Sequence, residues 1–404
     1  MPGRRAEEET PSRGRRQVCA TLCFAAAAVV LTACAGGNSE FFSNTPPPAV
    51  EPAPAATLGQ GQIRVALILP LSAQGNAGVA ASSMKNAADL ALAEFKNPNI
   101  QLLVKDDGGT PQGAQAGAQQ AINEGAEIII GPLFAEAVSA VGAVARQRNI
   151  PVIAFSTDVG VATRGVYLLS FLPETDVKRI VAFSVSRGKR SFAALVPDSA
   201  YGTVVEAAFQ QEVARRGGRI VALEKYPPDP NRLGEPVRRV AQAAAHVDAI
   251  LIPDGGDAVS QVVRALAGAG VNTKRVQLLG TGVWSDDQRI MGDTTLDGGW
   301  YPAPDPAGFR NFAARYRARY GQDPVRTATL AYDAVALVAA LVKTQGPARF
   351  SEQVLTNSSG FAGIDGVFRF RADGTNERGL AVLRVTPGGG QVISPAPKSF
   401  APGT

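Results

Sequence analysis

The sequence predicts an α/β protein built as two Rossmann-like lobes. Three observations lead there. Short, nearly continuous apolar runs alternate with segments whose apolar residues recur at helical spacing, the mark of βαβ units on a parallel sheet. The alternation runs once, pauses near Phe171 and starts again. A chain of 404 residues also exceeds what one hydrophobic core usually serves.

The first elements are an address. Arg13, Arg15 and Arg16 precede an apolar run from Val18 to Leu31, too short for a membrane-spanning helix but of the length of a signal-peptide core. The run ends Leu31-Thr32-Ala33-Cys34, which resembles the lipobox of bacterial lipoproteins. That resemblance implies cleavage after Ala33, so that residues 1–33 are a leader, and lipid attachment to Cys34. Ala35 in place of Asp implies sorting to the outer membrane of a Gram-negative bacterium, with the body in the periplasm. Residues 34–61, with Thr45-Pro46-Pro47-Pro48 and Pro52-Ala53-Pro54, read as an extended tether.

From Gln62 the pattern changes. Residues 63–69 are apolar enough for a strand buried on both faces. Ser82 or Ser83 is placed to cap a helix through Ala87, Leu90 and Phe95. A strand at 102–104, a helix over 111–123 and a strand at 127–130 follow, the last broken by Gly131-Pro132. A helix over 135–148 and a strand at 151–154 end the first series. The second series has strands at 192–196, 220–223, 249–252 and 276–279. Its helices run from Tyr201-Gly202 to about 216, around 237–245 and over 258–269. Long helices over 306–320 and 327–343 and a strand pair around Phe368 and Val382 complete the chain. A disordered tail is expected over 396–404.

Composition narrows the function. Hydrophobic residues make up 45% and charged residues 19%, an ordinary globular balance. The formal charge is +5, of which the leader carries +2, and no Lys/Arg block is interleaved with aromatics, which argues against a nucleic-acid partner. Cys19, Cys23 and Cys34 all precede the body, so a disulfide framework, a thiolate zinc site and a cysteine nucleophile are excluded there. The single histidine, His246, ends an alanine-rich helix with no Ser or Cys arrangement that suggests a triad. No Walker loop, zinc motif or Gly-x-Ser-x-Gly elbow appears. The expectation is a non-enzymatic protein without cofactor or metal.

The order of motifs resembles the type-one periplasmic binding proteins, in particular the leucine/isoleucine/valine-binding branch. The resemblance rests on Leu69-Pro70-Leu71-Ser72, Lys105-Asp106-Asp107-Gly108, Ile130-Gly131-Pro132-Leu133, Ile150-Pro151-Val152-Ile153, Ala200-Tyr201-Gly202, Asp248-Ala249-Ile250-Leu251 and Thr329-Leu330-Ala331-Tyr332-Asp333-Ala334. It covers about residues 62–385 and implies a three-strand hinge, with crossings between lobes near Ser170, Tyr301 and Asp365, and hence a partition into 62–170 plus 302–365 for lobe 1 and 171–301 plus 366–395 for lobe 2. Phe155-Ser156-Thr157-Asp158 and Val166-Tyr167-Leu168-Leu169-Ser170-Phe171 resemble lipoproteins of alphaproteobacteria named penicillin-binding protein activators.

The family's amino-acid site carries over poorly. Its serine at the helix start after the third strand falls on Ala135, between Phe134 and Glu136, and its threonine after the fourth strand falls on Asp158, beside Ser156 and Thr157. Its tyrosine is matched by Tyr201, and its ammonium-binding acid falls near Thr281 or Gly282. Glu136 and Asp158 at that place repel a ligand carboxylate by about 1–4 kcal/mol at 4 Å. A cationic ligand, a sugar or peptide fragment, or no ligand remain open. Ser72, at the first strand's end, joins the candidates. Ser156, Thr157 and Asp158 line the cleft or cap the following turn. Glu136 faces the cleft or simply completes its helix dipole, and Tyr201 closes on a ligand or makes a strand-to-helix turn. Asp254 and Asp257 serve their Asp-Gly-Gly-Asp turn rather than a metal. Trp284 is an aromatic platform or core. The two functional expectations are a solute receptor delivering a small molecule to an ABC permease, and a regulatory lipoprotein docking on a penicillin-binding protein.

Overall fold

The computed structural model describes residues 57–400 except Asp286. The leader, Cys34 and nearly all of the tether lie outside the described residues. A first series comprises β1 (Thr57–Leu58), β2 (Ile63–Leu69), α1 (Asn76–Glu94), β3 (Ile100–Asp106), α2 (Pro111–Asn123), β4 (Ile128–Ile130), α3 (Ala135–Gln147), β5 (Val152–Ala154) and β6 (Val166–Leu168). The second comprises α4 (Pro173–Ser186), β7 (Ser191–Pro197), α5 (Ala200–Arg215), β8 (Arg219–Tyr226), α6 (Gly234–Ala243), β9 (Ala249–Leu251), α7 (Gly256–Gly268), β10 (Gln277–Leu279), α8 (Gln288–Met291) and β11 (Trp300–Ala303). Then come α9 (Pro306–Tyr320), α10 (Ala328–Thr344), α11 (Glu352–Leu355), β12 (Phe361–Gly363), β13 (Gly366–Phe370), β14 (Asn376–Arg378), β15 (Ala381–Thr386) and β16 (Gly389–Ser394).

The strands form two large sheets, ordered β1-β3-β2-β4-β5-β6 and β16-β15-β11-β10-β9-β7-β8, and a small antiparallel sheet β12-β13-β14. The β2–β6 ladders and the β7–β11 ladders are parallel. In each, the first strand has its successor on one side and the third strand on the other, so the connections part between β2 and β4 and again between β7 and β9. Val65 to Leu69 are fully buried because both faces of the first sheet are covered, by α1 and α10 on one side and α2 and α3 on the other. The second sheet is packed on both faces in the same way.

Local chemistry explains many boundaries. Thr110 caps α2 by accepting from the Gly113 N–H at 3.0 Å, with Pro111 at the first helical position. Ser199 caps α5 by accepting from the Gly202 N–H at 3.1 Å. Helix α1 starts at Asn76, six or seven residues before the expected caps Ser82 and Ser83: Ser83 is buried and its Oγ instead accepts from the Val325 N–H at 3.1 Å.

Three crossings join the lobes, at 169–172, 304–305 and 379–380. The first includes Ser170 and the second lies just past Tyr301, which belongs to β11. The third is not at Asp365. Phe368 and Phe370 are buried in the first lobe's core, so residues 366–378 pack with lobe 1, and the chain leaves it only after Arg378. Phe368 and Val382 accordingly lie in different sheets rather than in one strand pair. Residues 396–400, expected as part of a disordered tail, lie against the body: Ala396 packs on the second core and the Phe400 ring sits 4.5 Å from the Arg369 guanidinium.

The crossings are pinned by buried polar groups. Asn376 Nδ2 donates to the Leu168 and Ser170 carbonyls at 2.8 and 2.9 Å, and Arg378 Nε donates to the Ser170 carbonyl at 3.0 Å. Phe171 lies between two guanidinium groups, Arg326 and Arg378, each 4.8 Å from its ring centroid. Asp333, 3% exposed, accepts from the Ile364 N–H at 2.8 Å, and burial pushes its pKa up to about 7. A raised carboxyl pKa means that the folded state holds a proton the unfolded state has released, so this contribution is present below about pH 4 and lost as pH rises through about 7. Asp333→Asn is therefore expected to flatten the decline of stability over that window, by up to about 1.4 kcal/mol per pH unit. Urea unfolding at about pH 5 and pH 8 reads the difference, and equal slopes for both proteins would refute it.

Candidate functional site

The two places where connections part are where an open parallel sheet leaves its strand ends and helix starts free for a ligand. In lobe 1 the place lies between β2 and β4. Ser72, exposed, follows β2; its N–H donates to Asp106 Oδ1 at 3.2 Å, and its hydroxyl with the Gly108 N–H helps hold that carboxylate below its ordinary pKa against the opposing effect of burial. Phe134, 39% exposed, and Ala135 and Glu136 follow β4 as the start of α3, with Glu136 exposed in its first turn. After β5, Ser156 is buried and its Oγ accepts from the Asp158 N–H at 3.1 Å, while Asp158 Oδ1 accepts from the Gly160 N–H at 2.8 Å. These two side chains hold their own turn, as Ser and Asp do at such positions, and Thr157 between them is exposed.

In lobe 2 the matching place lies between β7 and β9. Tyr201, in the first turn of α5, shares a 2.7 Å hydrogen bond with Thr281 Oγ1, and Thr281 is fully buried. Burial holds the Tyr201 phenol well above its ordinary pKa, with the charges of Asp176 and Asp254 adding to the effect. Asp254 follows β9, where its Oδ2 accepts from the Tyr226 hydroxyl at 2.6 Å and its Oδ1 from the Gly255 N–H at 2.8 Å. Asp257 is exposed and sits 3.9 Å from Arg289, so the two acids of this turn do not converge. Trp284 is core: it is fully buried beneath Gly280 and beside Tyr301, at 6.2 Å between ring centroids. His246 is an exposed helix-end residue.

Two acids that the sequence reading missed complete the wall. Asp176 Oδ2 accepts from the Gly282 N–H at 2.8 Å, so a carboxylate from α4 stands at the place where the resembling family keeps its acid on the 281–282 segment. A Cβ at position 282 would lie 2.8 Å from that oxygen, so any larger residue there must displace the Asp176 carboxylate. Burial pushes the Asp176 pKa up to about 7, with Glu174 adding and the Gly282 N–H opposing. Glu174 is itself raised by burial and by the charge of Asp158 from lobe 1, and its Oε2 is buried without a hydrogen-bond partner. Pro173 at the first helical position followed by Glu174 and Asp176 is a helix-start signal that the sequence carried.

A cavity of about 360 Å³ opens beside Tyr201 and Asp254 at the lobe 2 strand ends. A larger one, about 600 Å³, lies away from all of these residues, at the amino ends of β5 and β6 beside Arg146, Arg164 and Glu352.

Two parallel α/β lobes joined by three crossings, with polar and acidic side chains gathered at their strand ends, define a two-lobed ligand-binding scaffold. The family model for periplasmic binding proteins matches residues 62–391. The chain belongs to the periplasmic binding protein family. Among its relatives, an uncharacterized protein of Rickettsia prowazekii (strain Madrid E) is 22% identical over 185 residues, 46% of this chain and 49% of that protein. The Leu/Ile/Val-binding protein homolog 6 of Brucella melitensis biotype 1 is 22% identical over 245 residues, 58% of this chain and 62% of that protein. The chain thus spans less than two thirds of the length of either. The crystal structure of a putative branched-chain amino acid ABC transporter from Rhodospirillum rubrum shares the fold, with a TM-score of 0.73 at 20% identity over 82% of this chain and 99% of that one.

Proposed function

We propose that this protein is a lipid-anchored solute receptor of a Gram-negative envelope, tethered through Cys34, that closes its two lobes on a small molecule and presents it to an ABC permease. The observation that supports the reading is the Asp176–Gly282 contact beside the Tyr201–Thr281 pair, an acid supplied by α4 to the segment where the resembling family keeps its own. With Glu174 adjacent and Asp158 approaching from lobe 1, the cleft disfavours an α-amino acid held by its carboxylate and favours a solute that brings a positive charge.

A thermal-shift screen of the full chain against amines, polyamines, amino acids, sugars and muropeptides tests this. A ligand at 100 times its Kd stabilises by about 2.7 kcal/mol. The expected result is a shift with amines that strengthens between about pH 6 and pH 8, as Asp176 ionises through its pKa near 7. It is expected to weaken in Asp176→Asn. A carboxylate hit indifferent to that substitution would overturn the charge preference while keeping a receptor. The absence of any hit, with no lobe closure by small-angle scattering, would overturn the receptor. It would leave the second reading, a lipoprotein docking on a penicillin-binding protein, which draws support from Ser156 and Asp158 being bonded within their own turn. Co-purification with membrane-bound peptidoglycan synthases checks that reading.

A further inference from the structure

We propose that the 360 Å³ cavity of lobe 2 is a subsite for an apolar organic ammonium ion, a ring or short hydrocarbon carrying a protonated amine, with Asp254 as the acceptor of the ammonium group. The proposal rests on the receptor reading and specifies what that receptor selects.

Three observations carry it. The first is position. The cavity lies beyond the carboxyl ends of β7, β8 and β9, where the connections of the second sheet part, and Tyr201 lines it while bonding Thr281 in the cleft. The second is the lining. Tyr201, Tyr226, Leu233, Val262 and the Pro227-Pro228 pair make an apolar and aromatic enclosure, and aromatic side chains beside an acid are what an organic cation binds best. The third is charge. Among the described residues the lining holds the acids Asp198 and Asp254 and no Lys, Arg or His; Lys225, which feels the charge of Asp198, stands outside the lining and is paired with Glu206 at 2.9 Å. Asp254 is held by two neutral donors, the Tyr226 hydroxyl and the Gly255 N–H, which orient its carboxylate without neutralising it. A carboxylate has about four lone-pair sites, so room to accept an ammonium remains. Tyr226 is 5% exposed and fixed as the donor, which makes it a positioning residue for Asp254. An anionic ligand meets repulsion from both acids and finds no cation in the wall.

The test is isothermal titration of the full chain in mild detergent with 2-phenylethylamine, 2-phenylethanol and 3-phenylpropanoate, matched in shape and differing in charge. The amine is expected to bind, the alcohol at least about tenfold more weakly, and the acid not measurably. Asp254→Asn should weaken the amine by about ten- to a hundredfold and leave the alcohol nearly unchanged. Ala258→Phe, which blocks the cavity from its half-buried α7 wall without touching either acid, should abolish both. Circular dichroism and thermal melting confirm that each variant is folded, and the amine-to-alcohol ratio of the unsubstituted protein stands as evidence should either fail to fold. Amine binding that neither variant changes would overturn the subsite and leave the receptor reading intact, with the amine elsewhere in the cleft. No amine binding at all would also overturn the subsite, and lobe closure by another solute would then show that the receptor reading survives it.

Discussion

Replacing Asp365 by alanine is expected to lower the free energy of unfolding by about 3–5 kcal/mol, the range for breaking a buried ion pair from one side. Asp365 is fully buried. Its carboxylate is gripped by both terminal nitrogens of Arg326, at 2.9 and 2.6 Å, and by Thr329 Oγ1 at 2.6 Å. A bidentate grip of this kind fixes direction as well as distance. The same carboxylate lends its charge to Arg378, whose terminal nitrogens are buried without hydrogen-bond partners. Alanine therefore strands two guanidinium groups around Phe171, where the chain passes between lobes. Asp365→Asn keeps the shape and part of the hydrogen bonding, and is expected to cost less. Urea unfolding at neutral pH measures both, and a loss below about 1 kcal/mol for the alanine variant would mean that the ion pair is not what secures this junction.

Trp284→Ala is expected to cost about 3–5 kcal/mol as well, through lost burial and the cavity left behind. The indole is fully enclosed and sits under two glycines: a Cβ at Gly280 or Gly299 would lie 2.1 or 2.8 Å from its ring atoms. On these two sides the neighbours are glycines, with no side chain to move into the space. Thr281 and Gly282, which meet Tyr201 and Asp176, lie immediately before Trp284, so any amine affinity should fall together with stability. Trp284→Phe, which fills most of the volume, should recover more than half of the loss. Unfolding followed by the fluorescence of Trp300, the one other tryptophan, gives the numbers. Equal stability in the alanine variant would show that the 280–284 segment is held by something other than this ring.

Most of the regular βαβ elements were legible because their signals are local. The fully buried run of β2, the helix over 111–123 and the helix over 306–320 were each read from adjacent residues. What was missed depends on distant partners. Whether Phe368 belongs with lobe 1 or lobe 2 is decided by which core receives it, and its apolar alternation is the same in both cases. Ser82 and Ser83 look like caps in isolation, but Ser83 is engaged by Val325, 242 residues away. The site followed the same rule. Tyr201, Thr281 and Asp254 were read from their places after strands; Tyr201 bonds Thr281 and lines one cavity with Asp254. Asp176 was not found, because its role is defined only by the bare backbone at Gly282 that it reaches across the fold. Trp284 was left between two readings, and its Cβ-free neighbours made it core.

The path of the chain through the lobes also orders its assembly in time. The first core, begun by β2 and α1, waits for α10 and then for Phe368 and Phe370 before it is complete. Lobe 2, whose β7–β11 ladders are made in between, waits in turn for β15 to cover β11. During synthesis, therefore, neither half can finish folding as its own residues leave the ribosome. Contacts this far apart in sequence are slow to form. Each lobe's core is therefore complete only with residues near 370–385, close to the end of the folded body.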